Sequence, residues 1–167
     1  SPCEFIAAQK LRYRIFVREL GGGGDLVDHD SGLERDRFDP YFDHILLFDD
    51  ARKNNPIIGV YRVMTCDKAF EIGEFYSDEE YDLSMLRQSG KKLLELGRSC
   101  LAYDYRGGTA LAYLWQAVAN YALERKVEIL FGVASFHGTD VSELAEPLSL
   151  LHHQYLADEK LRPVAKK

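Results

Sequence analysis

The sequence predicts one α/β domain with a mixed β-sheet flanked by helices. Short apolar segments of strand length alternate with longer segments whose apolar residues recur at helical spacing. A chain of 167 residues suits one domain with a sizeable core. Apolar residues make up 46% of the chain and charged residues 29%, which is typical of a folded protein rather than a disordered one.

Composition and charge argue against several classes of protein. The net charge of −6 disfavours a broad nucleic-acid surface. No apolar run approaches the roughly 20 residues that a membrane helix needs. The widely spaced Cys3, Cys66 and Cys100 form neither a disulfide framework nor a zinc pattern, which suits a reducing cytoplasm. Because the chain starts at Ser1 with no secretory segment, we expect a trimmed or partly ordered N-terminus.

The first predicted element is a helix from Phe5 to Leu20, whose apolar residues recur every three or four positions. Arg12 and Phe16 are four residues apart and share a face. Two interpretations of Arg12 are open: a functional side chain beside the core, or an exposed arginine that lays its stem on the core. The glycines from Gly21 to Gly24 end the helix.

A charged loop follows the glycines. Its segment ERDRFD places three acids close together: Glu34, Asp36 and Asp39. Acids at this spacing can receive a substrate amine, while the commoner alternative is a solvated charged loop. The intervals differ from those of a calcium loop.

A β-hairpin comes next, with strands at His44–Phe48 and Ile57–Met64 and a turn at Asp50–Pro56. If Arg62 faces inward from the second strand, it needs an acidic partner or a bound anion. The polar insert at Asp67–Ser89 favours a short helix or an ordered lid, and the sequence does not decide between them.

The central strand is predicted at Leu93–Ala102. Strict alternation puts Glu95 and Arg98 on opposite faces of the sheet. A bulge at Gly97 would bring the two side chains together, and it would splay the strand from its neighbour and free backbone groups for a ligand.

The break at Gly107 and Gly108 opens a helix predicted at Thr109–Arg125. Its apolar stripe comprises Leu111, Leu114, Trp115, Val118, Ala119 and Ala122. Backbone amides at Arg106 to Thr109 lie at the helix start, where they can meet phosphate. Strand, bend and helix start together indicate a site for an acyl group carried on phosphopantetheine.

The last part of the chain predicts a buried strand at Glu128–Phe136, parallel to the central strand, and a turn at His137–Asp140. A final helix at Ser142–Leu156 should turn Leu144, Leu148 and Leu151 inward. We expect no strand in the tail and no metal site.

The motifs together resemble the GNAT superfamily of N-acyltransferases, and within it the ornithine N-acyltransferases of bacterial ornithine-lipid synthesis, sometimes labelled haemolysin-like. The resemblance spans nearly the whole chain and rests on segments that include LRYRIFVRELG (Leu11 to Gly21), LERDRFD (Leu33 to Asp39), LELGRSCL (Leu94 to Leu101) and YRGGT (Tyr105 to Thr109). It implies a GNAT fold at residues 1–167, as a single domain that lacks its first strand and its C-terminal portion.

The resemblance implies transfer of a long-chain 3-hydroxyacyl group from acyl carrier protein to the α-amine of L-ornithine. The phosphopantetheine thioester is then a co-substrate, and no cofactor is bound. The expected location is the cytoplasm, with peripheral attachment to the inner membrane as an option. The alternatives are an acyl-homoserine-lactone synthase and a non-enzymatic, haemolysin-like interaction protein.

Site residues are also implied by the resemblance, which extends to the acyl-homoserine-lactone synthases. Glu95 is the implied base and Arg98 its catalytic partner. The implied substrate-binding residues are Arg12, Phe16, Asp36, Asp39 and Arg62. The thioester and its pantetheine are implied to contact Ser99, Cys100, Leu101, Arg106, Gly107, Gly108 and Thr109.

Three details refine these expectations. The loop YRGGT is a loose version of the acetyltransferase phosphate loop, which favours carrier protein over coenzyme A. The tryptophan that acyl-homoserine-lactone synthases carry soon after the first helix is missing, and Trp115 lies elsewhere, which favours ornithine over a methionine-derived cofactor as the amine. The acidic carrier should dock on a basic patch, whose candidates are Lys91, Lys92, Arg106, Arg125 and Lys126. A covalent route through Cys100 is a minor alternative.

Overall fold

A computed structural model describes residues 1–24, 26–54, 56–136, 138 and 140–166. Its strands are β1 (Asp43–Phe48), β2 (Ile57–Thr65), β3 (Tyr81–Asp82), β4 (Leu93–Leu101), β5 (Ile129–Phe131) and β6 (Val164–Ala165). The main sheet has the order β1-β2-β4-β5. Its first two pairings are antiparallel and the β4–β5 pairing is parallel. The predicted mixed sheet and β-hairpin are therefore confirmed.

The first helix, α1 (Pro2–Arg12), continues without a break as a π-helix at Tyr13–Glu19. Ser1 and Glu4 cap its start reciprocally, and a proline occupies the first turn, where its missing N–H has no cost. The predicted helix is confirmed with an earlier start. Short π segments inside helices occur frequently at functional sites.

The remaining helices are α2 (Cys66–Ile72), α3 (Ser84–Gln88), α4 (Ala110–Glu124) and α5 (Val141–Gln154). Three 3-10 turns lie at Tyr76–Glu79, Tyr103–Tyr105 and Glu159–Leu161. The insert between β2 and β4 thus contains two short helices, a turn and a strand. Among the described residues no helix is long and apolar enough to cross a membrane.

The core lies on both faces of β2. On one face Ala8 and Leu11 of α1 pack in a cluster with Val60. On the other face Leu114 and Val118 of α4 pack in a cluster with residues of β2 and β4. Burial on both faces explains why β2 reads as an almost continuous apolar run rather than an alternating one.

Several predicted boundaries and faces are wrong. The buried stripe of α4 consists of Ala110, Leu114 and Val118 alone, while Leu111 and Trp115 are exposed. The strand predicted at Glu128–Phe136 is paired only at Ile129–Phe131 and is not fully buried, because the chain leaves the β4 ladder after Phe131. The outer face of α4 and part of β5 are therefore apolar, although no described element covers them.

The C-terminal region also departs from the expectation. None of the leucines predicted to face inward from α5 is buried: Leu144 is intermediate, and Leu148 and Leu151 are exposed. The tail does contain a strand, since β6 pairs antiparallel with β3. The predicted turns at 50–56 and 137–140 include Asn55, His137 and Thr139, which lie outside the described residues.

Candidate functional site

The central strand β4 carries a bulge opposite β2. Val60 pairs with Cys100 and Arg62 pairs with Gly97, so Tyr61 alone faces the two residues Arg98 and Ser99. The residue in the left-handed region is Arg98, with φ of 52°. The predicted bulge is therefore present, but Arg98 rather than Gly97 adopts the unusual backbone. A non-glycine residue in this region signals a conformation that its surroundings enforce.

The other edge of β4 separates from β5. Their pairing ends at Glu95 and Phe131. Beyond it, residues 96–99 and residues 133–136 line a cavity of about 580 Å³. Gly132 makes the last close approach, because a Cβ there would lie 2.3 Å from the Leu96 carbonyl oxygen. The predicted splay of the central strand is thus present, and it opens a cleft.

A second cavity of about 290 Å³ shares Phe16, Leu20 and Ser99 with the first. It continues past Cys100 and Leu101, so that the two cavities follow the unpaired edge of β4. The Ala102 N–H donates to the Ile58 carbonyl in β2 at 2.8 Å. Strand alternation therefore directs the Leu101 N–H to the open edge.

Buried ion pairs connect α1, the loop after it and β2. The Asp39 carboxylate accepts hydrogen bonds from Gln9, from both terminal nitrogens of Arg12 at 2.7 Å, and from Arg62 at 2.5 Å. Both arginines are 0% exposed. Burial alone would raise the pKa of Asp39, but hydrogen bonds from His44 and Arg12 and the two guanidinium charges hold it well below its usual value.

Glu34 extends this network to the cleft. Its Oε2 accepts from Arg12 Nε at 2.5 Å, and its Oε1 accepts from Arg98 Nε at 2.9 Å. Glu34 also lines the larger cavity. The exposed interpretation of Arg12 is therefore wrong. The sequence offered Glu34 as one of three acids for a substrate amine, but the site residues implied by the resemblance did not include it.

Arg62 and Asp36 complete the network. Arg62 Nη1 donates to Asp36 Oδ1 at 2.9 Å, and its guanidinium carbon lies 4.4 Å from the centre of the Phe42 ring. Among the described residues, Arg62 Nε and Asp36 Oδ2 have no hydrogen-bond partner. The charged residues of the predicted substrate-binding set therefore contact one another, and Asp39 has no oxygen left for a ligand. Phe16 lines both cavities instead.

Glu95 is 1% exposed and is held by the insert. It accepts hydrogen bonds from Tyr76 N at 2.8 Å, Ser77 N at 2.7 Å and Ser77 Oγ at 2.5 Å. Burial raises the pKa of Glu95 above its usual value, although these hydrogen bonds act to lower it. Glu95 is not among the residues that line the cleft. Sequence reasoning missed Tyr76 and Ser77, since a polar insert does not reveal its backbone donors.

Within the described residues, Arg98 and Glu95 do not contact each other directly, and Tyr76 binds both. Arg98 Nη1 lies 3.4 Å from the Tyr76 hydroxyl, and Arg98 Nη2 lies 3.6 Å from Asp36 Oδ2. The side chain is 27% exposed and lines the larger cavity. With Nε bound to Glu34 and both terminal nitrogens loosely engaged, Arg98 can receive a carboxylate in bidentate fashion.

The chain matches the family model of the acetyltransferase (GNAT) domain over residues 11–116. It belongs to this family. It is 54% identical to an L-ornithine N(alpha)-acyltransferase of Rhodobacter capsulatus, covering 98% of this chain and 64% of that protein. A second protein of that name, from Brucella abortus, is 38% identical, covering 92% of this chain and 56% of that protein. The chain thus spans less than two thirds of these curated relatives.

Solved structures support the GNAT fold. A CoA-dependent acyl-homoserine lactone synthase matches 87% of this chain and 64% of its own, with a TM-score of 0.58 and 17% identity. An N-acyl amino acid synthase from uncultured soil microbes matches 90% of this chain and 73% of its own, with a TM-score of 0.56 and 20% identity.

In this GNAT domain the predicted phosphate loop lies beside the cleft rather than in it. Gly108 and Thr109 line a third cavity of about 480 Å³, whose lining includes the acids Asp49, Asp50 and Asp104. Gly107 adopts φ of 76°, a conformation that suits glycine. Arg106 lines both this cavity and the one at Leu101, and its Nε donates to the Leu101 carbonyl at 3.1 Å.

The five basic residues predicted to receive the carrier protein do not form one patch in the described part of the chain. Lys91 and Lys92 precede β4, Arg125 and Lys126 follow α4, and Glu128 binds Lys91 at 3.1 Å. Arg106 lies past the other end of β4 and pairs with Glu19.

Burial raises the pKa of the Cys100 thiol to about 12, which disfavours a thiolate nucleophile. Among the described residues no group of His, Cys, Asp and Glu could hold a metal.

Proposed function

We propose that this GNAT domain transfers a long-chain 3-hydroxyacyl group from acyl carrier protein to the α-amine of L-ornithine. The observation that carries the proposal is the cleft between β4 and β5, where an unpaired strand edge meets the fork of Arg98. Sequence similarity to two proteins named for that reaction supports it. A haemolysin-like interaction protein has no need of such a cleft beside buried arginines.

The acyl thioester would lie along the open edge of β4. The Leu101 N–H, directed to that edge, would donate to the carbonyl oxygen as it becomes an oxyanion. The pantetheine arm would pass Arg106 on its way out. The acids beside the start of α4 disfavour the extra phosphates of coenzyme A, which supports the carrier protein as donor.

The amino acid would enter the same cleft with its carboxylate on Arg98. Its neutral α-amine attacks the thioester carbonyl, a C–N bond forms, the C–S bond breaks, and the departing thiolate takes the proton that the amine loses. Arg12, Arg62, Asp36 and Asp39 would act behind the cleft by fixing Glu34 and Arg98.

Glu95 would act as a positioning residue rather than as a direct base. Both of its oxygens accept hydrogen bonds from the Tyr76–Ser77 turn, and the Tyr76 hydroxyl reaches Arg98. Glu95→Gln should raise KM for ornithine and leave the shape of the pH profile of kcat unchanged. Loss of the acidic limb of that profile, where a base becomes protonated, with KM unchanged would assign proton transfer to Glu95 instead.

The test of the function is incubation with 3-hydroxyacyl carrier protein and single amines, followed by mass spectrometry of the products. We expect the N-acyl product of L-ornithine. An acyl-homoserine lactone formed from S-adenosylmethionine would support the synthase alternative. Absence of every acylated amine would reject enzymatic acyl transfer to amines.

A further inference from the structure

The larger cavity has a second acid besides Glu34, and the network does not use it. Glu80 follows the 3-10 turn at Tyr76–Glu79, is exposed, and lines the same cavity as Arg98. Within the described residues, its carboxylate forms no hydrogen bond and no ion pair. It therefore differs from Glu34, whose two oxygens are both bound by arginines.

The backbone of Glu80 is fixed although its side chain is not. Its N–H donates to the Ser77 carbonyl at 3.2 Å, and its carbonyl accepts from Lys166 N at 2.8 Å, next to the pairing of β3 with β6. The ammonium of Lys166 donates to the Asp78 carbonyl and does not pair with Glu80. A free carboxylate is thus held at the cleft by the turn that also binds Glu95.

We propose that Glu80 determines specificity by binding the side-chain ammonium of the amino acid whose carboxylate Arg98 holds. This inference rests on the proposed function and names the acceptor class as L-amino acids with a primary amine on a short side chain. A charge-assisted hydrogen bond to Glu80 stabilises such an acceptor and offers nothing to a neutral one.

Asp36 and Asp39, which the sequence offered as acids for a substrate amine, are poorer candidates. Asp39 already accepts from Gln9, Arg12 and Arg62, and it is 2% exposed. Asp36 binds Arg62 through one oxygen, and neither acid is among the residues lining the cavity. A cation that enters the cleft therefore meets the unpaired carboxylate of Glu80.

The test compares Glu80→Gln with Glu79→Gln in the full chain. Glu79 is the adjacent exposed acid, pairs with Arg37 at 2.9 Å and does not line the cavity. Acyl transfer is measured with L-ornithine and with L-norvaline, which has the same carbon chain without the side-chain amine. Glu80→Gln should lower kcat/KM for ornithine roughly 10- to 100-fold, mainly through KM, and leave norvaline unchanged. Glu79→Gln should leave kcat/KM unchanged for both substrates.

The outcomes separate this inference from the proposed function. A wild-type chain that prefers ornithine, with a Glu80→Gln variant that keeps the preference, would overturn the role of Glu80 and leave the function intact. Equal wild-type use of ornithine and norvaline would also overturn it. No acylation of either amine would reject the function itself. In a second variant, Glu80→Lys, the ratio of kcat/KM for L-glutamate to kcat/KM for ornithine should be higher than in the wild type. An unchanged ratio would count against the proposal.

Discussion

Arg98 combines an unfavourable backbone with the most exposed charge of the network. Its positive φ permits the guanidinium to reach Glu34 and the cleft, and the hydrogen bond to Glu34 helps to stabilise this conformation. The sequence singled out Glu95 and Arg98 as charges in an apolar strand, and it suggested a bulge. It did not show that Arg98 takes the left-handed conformation, because a neighbouring glycine is the statistically favoured choice.

Replacing Arg98 separates its backbone role from its charge. Arg98→Gly and Arg98→Ala both remove the guanidinium, so both should lower kcat/KM at least about 100-fold. Glycine tolerates φ of 52° and alanine does not, so the glycine variant should be more stable by about 1 kcal/mol. Urea denaturation of the two variants measures that difference. An alanine variant as stable as the glycine variant would mean that the bulge relaxes when the arginine is lost.

Asp39 is the acid on which the buried arginines depend. Asp39→Asn would leave the guanidinium groups of Arg12 and Arg62 without their shared charge, and should cost about 3–5 kcal/mol in the free energy of unfolding. Asp30→Asn, an exposed aspartate without an ion pair in the described chain, should stay within about 0.5 kcal/mol of the wild type.

The dependence on pH gives this prediction a sign. The pKa of Asp39 is depressed in the folded state, so its stabilisation is fully present above the unfolded value of about 4 and is lost as pH falls below it. The gap between wild type and Asp39→Asn should therefore shrink below about pH 5 in denaturation curves. A gap that widens in acid would contradict the assigned ion pairs.

Elements were predictable where their periodicity extends over many residues. The first helix, the hairpin, β4 and α4 lie close to their predicted positions, because burial of one face imposes a regular pattern. The π-helix at Tyr13–Glu19 was not predictable, since its sequence has an ordinary helical pattern. β5 was predicted too long for a related reason: Gly132 to Phe136 are mostly small or apolar residues beside a cleft, so composition does not reveal where pairing stops.

The end of β5 offers a test of the splay. Gly132→Ala would place a methyl group against the Leu96 carbonyl, so β5 must shift away from β4. We expect a loss of about 1–3 kcal/mol and a lower kcat, since the cleft changes shape. Gly108→Ala is the stability control, because a Cβ there contacts nothing within 4 Å. Equal melting temperatures for the two variants would contradict the close approach at Gly132.

At the scale of the whole molecule, the charge network joins parts of the chain that are far apart in sequence. Glu34 and Arg98 are 64 residues apart, and Arg12 and Asp39 are 27 apart. The resemblance identified most members of this network, while the residues alone suggested only that charges in apolar segments need partners. Only the structure shows which acid pairs with which arginine, because the sequence makes every acid in ERDRFD an equally good candidate partner.

The entry route of the carrier protein is a property of the whole molecule. β4 is nine residues long, so its two ends are about 26 Å apart, and the cavities lie along its second half. A thioester that reaches Leu101 past Arg106 enters from the C-terminal end of β4. The carrier should therefore dock near Arg106, while Lys91 lies at the opposite end.

Arg106→Gln and Lys91→Gln form a matched pair, since each removes one charge that pairs with a single glutamate. Arg106→Gln should raise KM for the acyl carrier protein roughly 10-fold at low salt, with a smaller effect at high salt because screening weakens the attraction in both proteins. Lys91→Gln should leave KM unchanged. With a free acyl-pantetheine donor the salt dependence of the Arg106→Gln effect should disappear, because the carrier surface is absent. A larger effect of Lys91→Gln would place the carrier at the N-terminal end of β4 and reverse the direction in which the pantetheine arm enters.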